Sequence, residues 1–417
     1  MVKSVANKNS GLLKSVEERA LSKKAADEKK QQRVPYFHKD CISDILIRLP
    51  LQSLQSTRFV CKPWYNIINS PIFIDAHLRR SESVLIYLTP IPNERPYHYS
   101  AKSKPSEEQT NFSVEASLLQ SNHVSIFREP SVSRAPKYCI QFVEFIEGKG
   151  KIGEYNVSCL GNIRASCNGL ILLDNQVKKG GGTVVMNPAT RKLLALPLGT
   201  ICRPEHESYG FVFNDAAGEY KVVHLFWDEL RYVNCETLKI GERFWKEVNG
   251  PSFGLFSWFG HVPVSAIGAL HWLPQIGLND YLVSMEMDGD MFHTVQLPKS
   301  CRMYDRIIEM GGFLCLVTHE ELSIDIWNLK NLSGDVWTKQ YSITRGSVLD
   351  MVPLLSLRIS GDLMFKRSED ESLYTYDFEF EEMRKVEMEN KSLSAYSRYL
   401  PHVNSLVSWM KPKDASD

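Results

Sequence analysis

The sequence predicts a mainly β protein. Three short helices near the N-terminus lead into a β-propeller-like repeat domain of about seven blades. Three observations predict this. Residues 34–81 carry helical apolar spacing punctuated by prolines; residues 84–410 alternate short β-branched and aromatic runs with turn residues; and those runs recur at a nearly regular interval. A two-sheet sandwich is the alternative for the second region.

In the first region, Ile42, Ile45, Leu46 and Leu49 have the i, i+3, i+4, i+7 spacing of one helix face. Asp40 is the candidate N-cap, and Asp44 adds negative charge in the first turn, where the helix dipole favours it. Pro50 stops this helix at Leu49. A second helix is expected over about Gln52 to Phe59. The third opens at Pro63, where a missing N–H costs nothing, and carries Trp64, Ile67 and Ile68 on one side. Ser70-Pro71 is expected to close it. Three short helices cannot bury this much apolar surface among themselves, so a partner protein is expected to cover part of it.

The second region reads SVLIYLT, YCIQFVEFI, GLILL, TVVMN, GFVF, YKVVHLFW and onward, at strand lengths and rich in Val, Ile, Tyr, Phe and Trp. Residues Ile91 to Gln109 are rich in Pro, Ser and charge and read as an exposed loop. A Gly followed by a large apolar residue opens several units, at Gly169, Gly210, Gly268, Gly312 and Gly361, with successive spacings of 41, 58, 44 and 49. Several strands per period suggest propeller blades. The glycines are expected where inner strands crowd near the axis, with aromatics filling the space between blades. At about 45 residues per blade, residues 84–410 supply about seven.

Composition sets the class. The 417 residues are 43% hydrophobic and 24% charged, with 49 basic and 49 acidic side chains, an ordinary globular balance giving no global drive towards nucleic acid or membranes. No apolar run is long enough for a transmembrane helix, and no secretory signal is evident, so a nuclear and/or cytoplasmic location is expected. Nine cysteines without a C-x-x-C pair read as reduced thiols, several inside apolar runs, with no zinc-ligand spacing. Residues 1–33 carry nine Lys/Arg against four Asp/Glu and read as a disordered or frayed basic tail.

The helical stretch resembles an F-box, the adaptor-binding module of SCF-type ubiquitin ligases. Asp40, Ile42, Asp44, Ile45, Leu46, Arg48, Leu49 and Pro50 match the first block of the family pattern, and Ser53 and Leu54 the second. Val60, Cys61, Lys62, Trp64, Ser70, Pro71 and Phe73 match the third. Phe37-His38 stands where the family has Leu-Pro, and Thr57 where it has an aromatic. The stretch SCNGLILL, VVMNPATRKLLALP and YGFVFNDAAGEYKVV is similar to the F-box-associated domain of plant F-box proteins. There Asn168, Gly169, Asn187, Pro188, Gly210 and Asp215 are among the matching residues.

The resemblance implies the substrate-receptor subunit of an SCF-type ligase. Its partners would be a Skp-type adaptor, through it a cullin-RING assembly, and an unknown target protein. Ile42, Ile45, Leu46, Pro50, Leu51 and Trp64 are the candidates for forming or supporting the adaptor-facing surface. For the target, the aromatic stretch Phe253, Phe256, Trp258 and Phe259 is the candidate recognition loop by composition, or else an interblade strand burying those rings.

Bond chemistry finds no constellation. G-x-S-x-G, H-E-x-x-H and the P-loop are absent, and His319-Glu320-Glu321-Leu322 is followed by Ser323 where a zinc site needs a second His. Lys178 to Thr183 is followed by a strand rather than a helix, which argues against a phosphate cradle. His224 and His271 sit in strand texture, as hydrogen-bonded core groups. No enzyme, cofactor, metal, membrane or nucleic-acid partner is therefore expected. A non-ligase interaction scaffold and a glycan-binding propeller are the alternatives.

Overall fold

The computed structural model describes residues 37–91, 138–159, 161–174, 182–203, 206–252, 261–274, 279–302, 304–332, 336–344, 350–389 and 398–409. The basic tail and the aromatic stretch Phe253–Phe259 lie outside the described residues. The chain divides into two compact units between Ile68 and Asn69.

The first unit holds α1 (Lys39–Leu46), α2 (Leu51–Thr57) and α3 (Lys62–Ile68). The expected cap moves by two residues. His38 is the N-cap of α1, its Nδ1 accepting from the Asp40 N–H at 3.5 Å, and Asp40 lies in the first turn. Its charge still suits the positive end of the helix. Pro50 stands outside α1 altogether, as the N-cap of α2 with φ −57°. Pro63 lies in the first turn of α3, where its missing N–H has no intrahelical acceptor to lose. Leu46, Leu51, Leu54, Ile67 and Ile68 are buried, and α3 touches both α1 and α2.

The second unit opens with a helix the sequence reading missed. Ser70-Pro71 does not end a helix but starts α4 (Pro71–Arg80): the Ser70 hydroxyl accepts from the Phe73 N–H at 3.3 Å, and Pro71 takes the first helical position. The same dipeptide serves as stop or start, and only the chain beyond it decides. Ile74 and Leu78 of α4 pack into an apolar cluster with Leu170, Leu172, Tyr209, Phe211 and Val407.

Six sheets follow, not about seven, antiparallel but for one short edge strand. Blades 2 to 6 are four-stranded and each is one continuous stretch of chain, opening with Ile163–Cys167, Glu207–Asn214, Val264–Ala266, Arg306–Met310 and Met351–Ser356. Blade 1 is built differently. Ser83–Pro90, Tyr138–Ile146 and Lys149–Cys159 supply three of its five strands, Glu387–Met388 adds a short parallel one at the outer edge, and the inner strand is Leu400–Val403 from the far end of the chain, paired to the first as Ser83↔Val403 and Ile86↔Leu400. Leu400–Val403 and the first strands of blades 2 to 6 each lie against the next, closing a ring of six. The count falls short because region 84–165 yields one blade, with residues 92–137 falling between its first two chain-order strands.

The repeated glycines have a different cause from the one expected. Gly169, Gly268, Gly312 and Gly361 sit in hairpin turns at φ +88°, +76°, +86° and +80°, a region open to glycine without strain. Asn168-Gly169, Ile267-Gly268 and Gly311-Gly312 are two-residue turns with both φ positive, which suits the twist of antiparallel hairpins. Gly210, at ordinary φ, fits the crowding idea, since a Cβ there would stand 2.5 Å from Leu270 Cδ1 of the next blade. The space between blades is filled mostly by Leu, Ile and Val, with Trp272 fully buried between blades 3 and 4 and donating its indole N–H to Ser208 Oγ at 3.1 Å.

The ring is locked by polar groups as well. Asn187 is fully buried, its amide donating to the carbonyls of Ser405 (3.1 Å) and Val407 (2.8 Å) while its Oδ1 accepts from the Thr190 N–H. Ser405 donates its hydroxyl to the Asn168 carbonyl at 2.7 Å. A Cβ on Gly169 would lie 2.0 Å from Ser405 Oγ and 2.8 Å from the Val403 carbonyl. The Asn168-Gly169 and Asn187-Pro188 motifs thus hold the C-terminal segment against blade 2.

Candidate functional site

Two surfaces stand out, one on each unit. On the helical unit, the six residues singled out by sequence separate into two roles. Leu46 and Leu51 are buried at 1% and 6% exposure, Ile42 and Trp64 are half-buried, and Ile45 and Pro50 are exposed. Further apolar side chains are exposed on the same unit: Phe37, Phe59, Val60 and Tyr65. Five large apolar groups exposed on so short a unit are more than solvent-facing helices need, as is expected of a unit that binds a partner. Phe59 and Val60 follow the last turn of α2, off the regular helical spacing, so periodicity alone could not find them. Cys41 and Cys61 are exposed here too, whereas Cys235, Cys301 and Cys315 are buried in the propeller. Burial pushes those three thiols up to about 12, which keeps them protonated and inert.

The propeller has two unlike ends. One carries the hairpins joining first to second and third to fourth strands; α4 and the residues after Val403 lie at this turn end, through Leu78 and Ser405. From the opposite end depart the connections from second to third strand and from one blade to the next; among the described residues these include 196–203, 228–232 and 249–252. Variable connections on a rigid ring are where binding sites are usually built. Leu198, Ile201, Leu230 and Tyr232 are exposed on the connections flanking blade 3.

Beneath these connections runs a buried ionic network that no local motif announced. Arg164 of blade 2 pairs with Asp174 at 3.2 Å and with Glu207 of blade 3. His224 lies between two carboxylates, Glu207 at 3.2 Å from Nε2 and Glu236 at 2.8 Å from Nδ1, and its ring stacks on Tyr209 at 4.3 Å. Burial alone would lower the His224 pKa, but the bonds and charges of Glu207 and Glu236 outweigh it and leave the pKa raised. Glu236 is lowered in turn, because His224 and the backbone and hydroxyl of Thr200 outweigh its burial. Every charge here has a partner, as burial requires. The network fixes the connection through Thr200 to the body of blade 3, giving the exposed Leu198 and Ile201 a rigid base. His271 is the expected core histidine, bonded to Ser284 Oγ and the Ala266 carbonyl.

Among the described residues no group of three His, Cys, Asp or Glu could hold a metal ion.

Comparison with known proteins agrees with this division. Residues 144–406 match the family described as the F-box associated beta propeller domain, and residues 38–75 match the F-box domain. Among curated proteins, F-box protein CPR1 of Arabidopsis thaliana is 24% identical, with 73% of this chain and 72% of that protein covered. F-box protein At4g22390 of the same plant is 23% identical over 82% and 83%, and its F-box/kelch-repeat protein At4g19930 is 22% identical over 80% and 75%.

Proposed function

The chain belongs to the F-box-associated β-propeller family and is an F-box protein, and from that premise we propose that it is the substrate-receptor subunit of an SCF-type ubiquitin ligase. The helical unit docks on a Skp-type adaptor, through it joins a cullin-RING assembly, and the connection end of the propeller holds a target protein. The chain performs no bond chemistry itself. Holding a target near a ubiquitin-loaded enzyme turns a bimolecular transfer into an effectively intramolecular one.

One observation supports this most directly: Ile45, Phe59 and Val60 stay exposed at 59%, 71% and 65% on a unit whose own core is already formed by Leu46, Leu51 and Leu54. Such side chains gain from a protein partner, at about 25 cal/mol per Å² of apolar surface covered. The test is co-purification of the full chain with a Skp-type adaptor. Ile45→Asp should abolish capture while changing stability by less than about 0.5 kcal/mol, because it replaces an exposed side chain. Leu46→Asp should also lose capture, but by unfolding the unit. Unimpaired capture by a folded Ile45→Asp chain would refute this docking surface.

A further inference from the structure

A neutral imidazole carries one N–H and an imidazolium two, so the atoms facing its nitrogens decide which form a site holds. His224 is fully buried, and both its nitrogens face carboxylate oxygens, Glu236 Oε1 at 2.8 Å from Nδ1 and Glu207 Oε2 at 3.2 Å from Nε2. Both carboxylates already act as acceptors elsewhere. Glu236 Oε1 accepts from the Thr200 N–H at 2.9 Å, and its Oε2 from the Thr200 hydroxyl at 3.1 Å. Glu207 Oε1 accepts from an Arg164 N–H, and its Oε2 from the Tyr209 hydroxyl at 3.4 Å. A ring between two such acceptors is satisfied only as the imidazolium, with both N–H groups donating.

The charged and titratable groups around the ring come from each element packed on it. Strand Glu207–Asn214 brings Glu207 and Tyr209, strand Val233–Lys239 brings Glu236, and blade 2 brings Arg164, itself paired with Asp174 at 3.2 Å. The connection brings Cys202, pushed up to about 12 by burial and the two glutamates. Burial pushes the Tyr209 hydroxyl up as well, so neither ionises near neutral pH. Arg203 is exposed, and His206 stacks on Trp227 at 5.0 Å. With the ring charged, Arg164 and His224 answer Asp174, Glu207 and Glu236; without its proton, Arg164 alone faces all three. Burial opposes the charge on His224, but the bonds and charges of Glu207 and Glu236 outweigh it and hold its pKa above the usual 6.5.

Loss of the proton falls on one partner more than the other. A neutral ring keeps one N–H, so one carboxylate must draw back from a bare lone pair. Glu207 is tied by an ion pair to Arg164, whereas Glu236 has only the uncharged amide and hydroxyl of Thr200. An ion pair in a buried setting holds more firmly, so Glu236 yields. What Glu236 holds is the connection. The chain passes so close at Gly199 that a Cβ there would lie 2.4 Å from Glu236 Oε1 and 3.1 Å from the Trp245 ring, and Trp245 donates its indole N–H to the Pro197 carbonyl at 3.0 Å. Leu198 and Ile201, exposed at 67% and 68%, stand on either side of Gly199 and Thr200.

We propose that His224, as an imidazolium, is a positioning residue for target binding: through Glu236 it pins residues 197–200 and fixes how Leu198 and Ile201 are presented. In alkaline solution the proton passes to solvent, Glu236 withdraws, the connection loosens and the hold on the target weakens. The sign follows from linkage, since a proton held more tightly by the folded chain supports that arrangement below the folded pKa and not above it. This rests on the reading of the connection end as the target-holding surface.

The test is amide hydrogen exchange of the full chain between pH 6 and pH 9, corrected for the intrinsic acceleration of exchange with pH. Protection at residues 198–200 should fall by about tenfold or more, as losing hydrogen bonds to a charged group entails. Residues 269–272, a buried strand of blade 4, should keep theirs. Level protection at 198–200 up to pH 9 overturns the proposal. An amide at position 207 donates to the bare Nε2 of a neutral ring and still accepts from Arg164, so Glu207→Gln should stay protected at pH 9. A fall equal to the parent's in that variant also overturns it, and if the variant does not fold, the parent's profile decides alone. Peptides selected from a random library on the full chain at pH 6 read the consequence for binding. Their retention should fall at pH 9 in the parent and hold in Glu207→Gln; level retention of peptides that Leu198→Ser releases overturns the link to binding. Peptides that neither Leu198→Ser nor Ile201→Ser releases would instead sink this connection as the target surface, while exchange reads the His224 clasp without them and adaptor capture reads the ligase role.

Discussion

Among residues 37–68, Phe37, Ile45, Phe59, Val60 and Tyr65 lie about half or more exposed, whereas the apolar side chains of the propeller fill six successive clusters with most members below a tenth exposed. The difference follows from closure. A ring of sheets gives each blade two neighbours, and the Leu400–Val403 strand removes the gap between first and last. Three short helices have no such closure and leave a face open. The unit with the weaker core is therefore the one expected to need a partner, and the self-sufficient ring is free to vary its connections.

The contrast breaks most visibly at the ring closure. Gly169→Val forces a branched side chain into φ +88° and against the Val403 carbonyl and Ser405. Left-handed strain and overpacking together should cost the propeller about 3–5 kcal/mol. Denaturant unfolding would read this as a lower transition midpoint, and adaptor capture should persist because Ile45 and its neighbours belong to the other unit. Unchanged stability would mean that the C-terminal segment does not lock the ring.

Acid should act next, and on the propeller. His271 and His402 are buried, and burial pushes them down to about 4 and about 3. The unfolded chain takes up these protons near pH 6.5 while the folded one refuses them, so stability falls as pH drops below that value. Between pH 6.5 and 5.5 the loss should be about 1 kcal/mol for each, roughly 2 in total. His224 works the other way: its raised pKa contributes stability that is fully present below pH 6.5 and fades as pH rises through its folded value. Melting curves across this window check the sum, and a flat profile would contradict the burial of His271 and His402.

How much of this was legible depends on distance along the chain. The α1 apolar set, Pro50 and Pro63 announce themselves within a few residues, because helical spacing and proline chemistry are local. The inner strand of blade 1 does not. Leu400–Val403 is four residues long, and its partner Ser83–Pro90 lies over three hundred residues upstream. Nor does the Arg164–Glu207–His224–Glu236 network, which spans four segments of ordinary strand sequence. Blade count failed for a related reason, since dividing a length by a period takes all of 84–410 as whole blades, whereas the described strands of region 84–165 form one blade that takes its inner strand from Leu400–Val403.

The smallest expected effect sharpens the comparison from the helical side. His38 stands where the family has proline, and its φ of −56° is one that proline adopts. His38→Pro loses only a 3.5 Å bond from the Asp40 N–H and, with it, a contact between His38 Nδ1 and the Asp40 carboxylate, both highly exposed. The stiffer unfolded chain offsets part of that loss. Stability should stay within about 0.5 kcal/mol of the parent. Adaptor affinity is the more telling readout. Little change would place the interface on Ile45, Phe59 and Val60, and a gain of tenfold or more would move it to the start of α1, where Phe37 is also exposed.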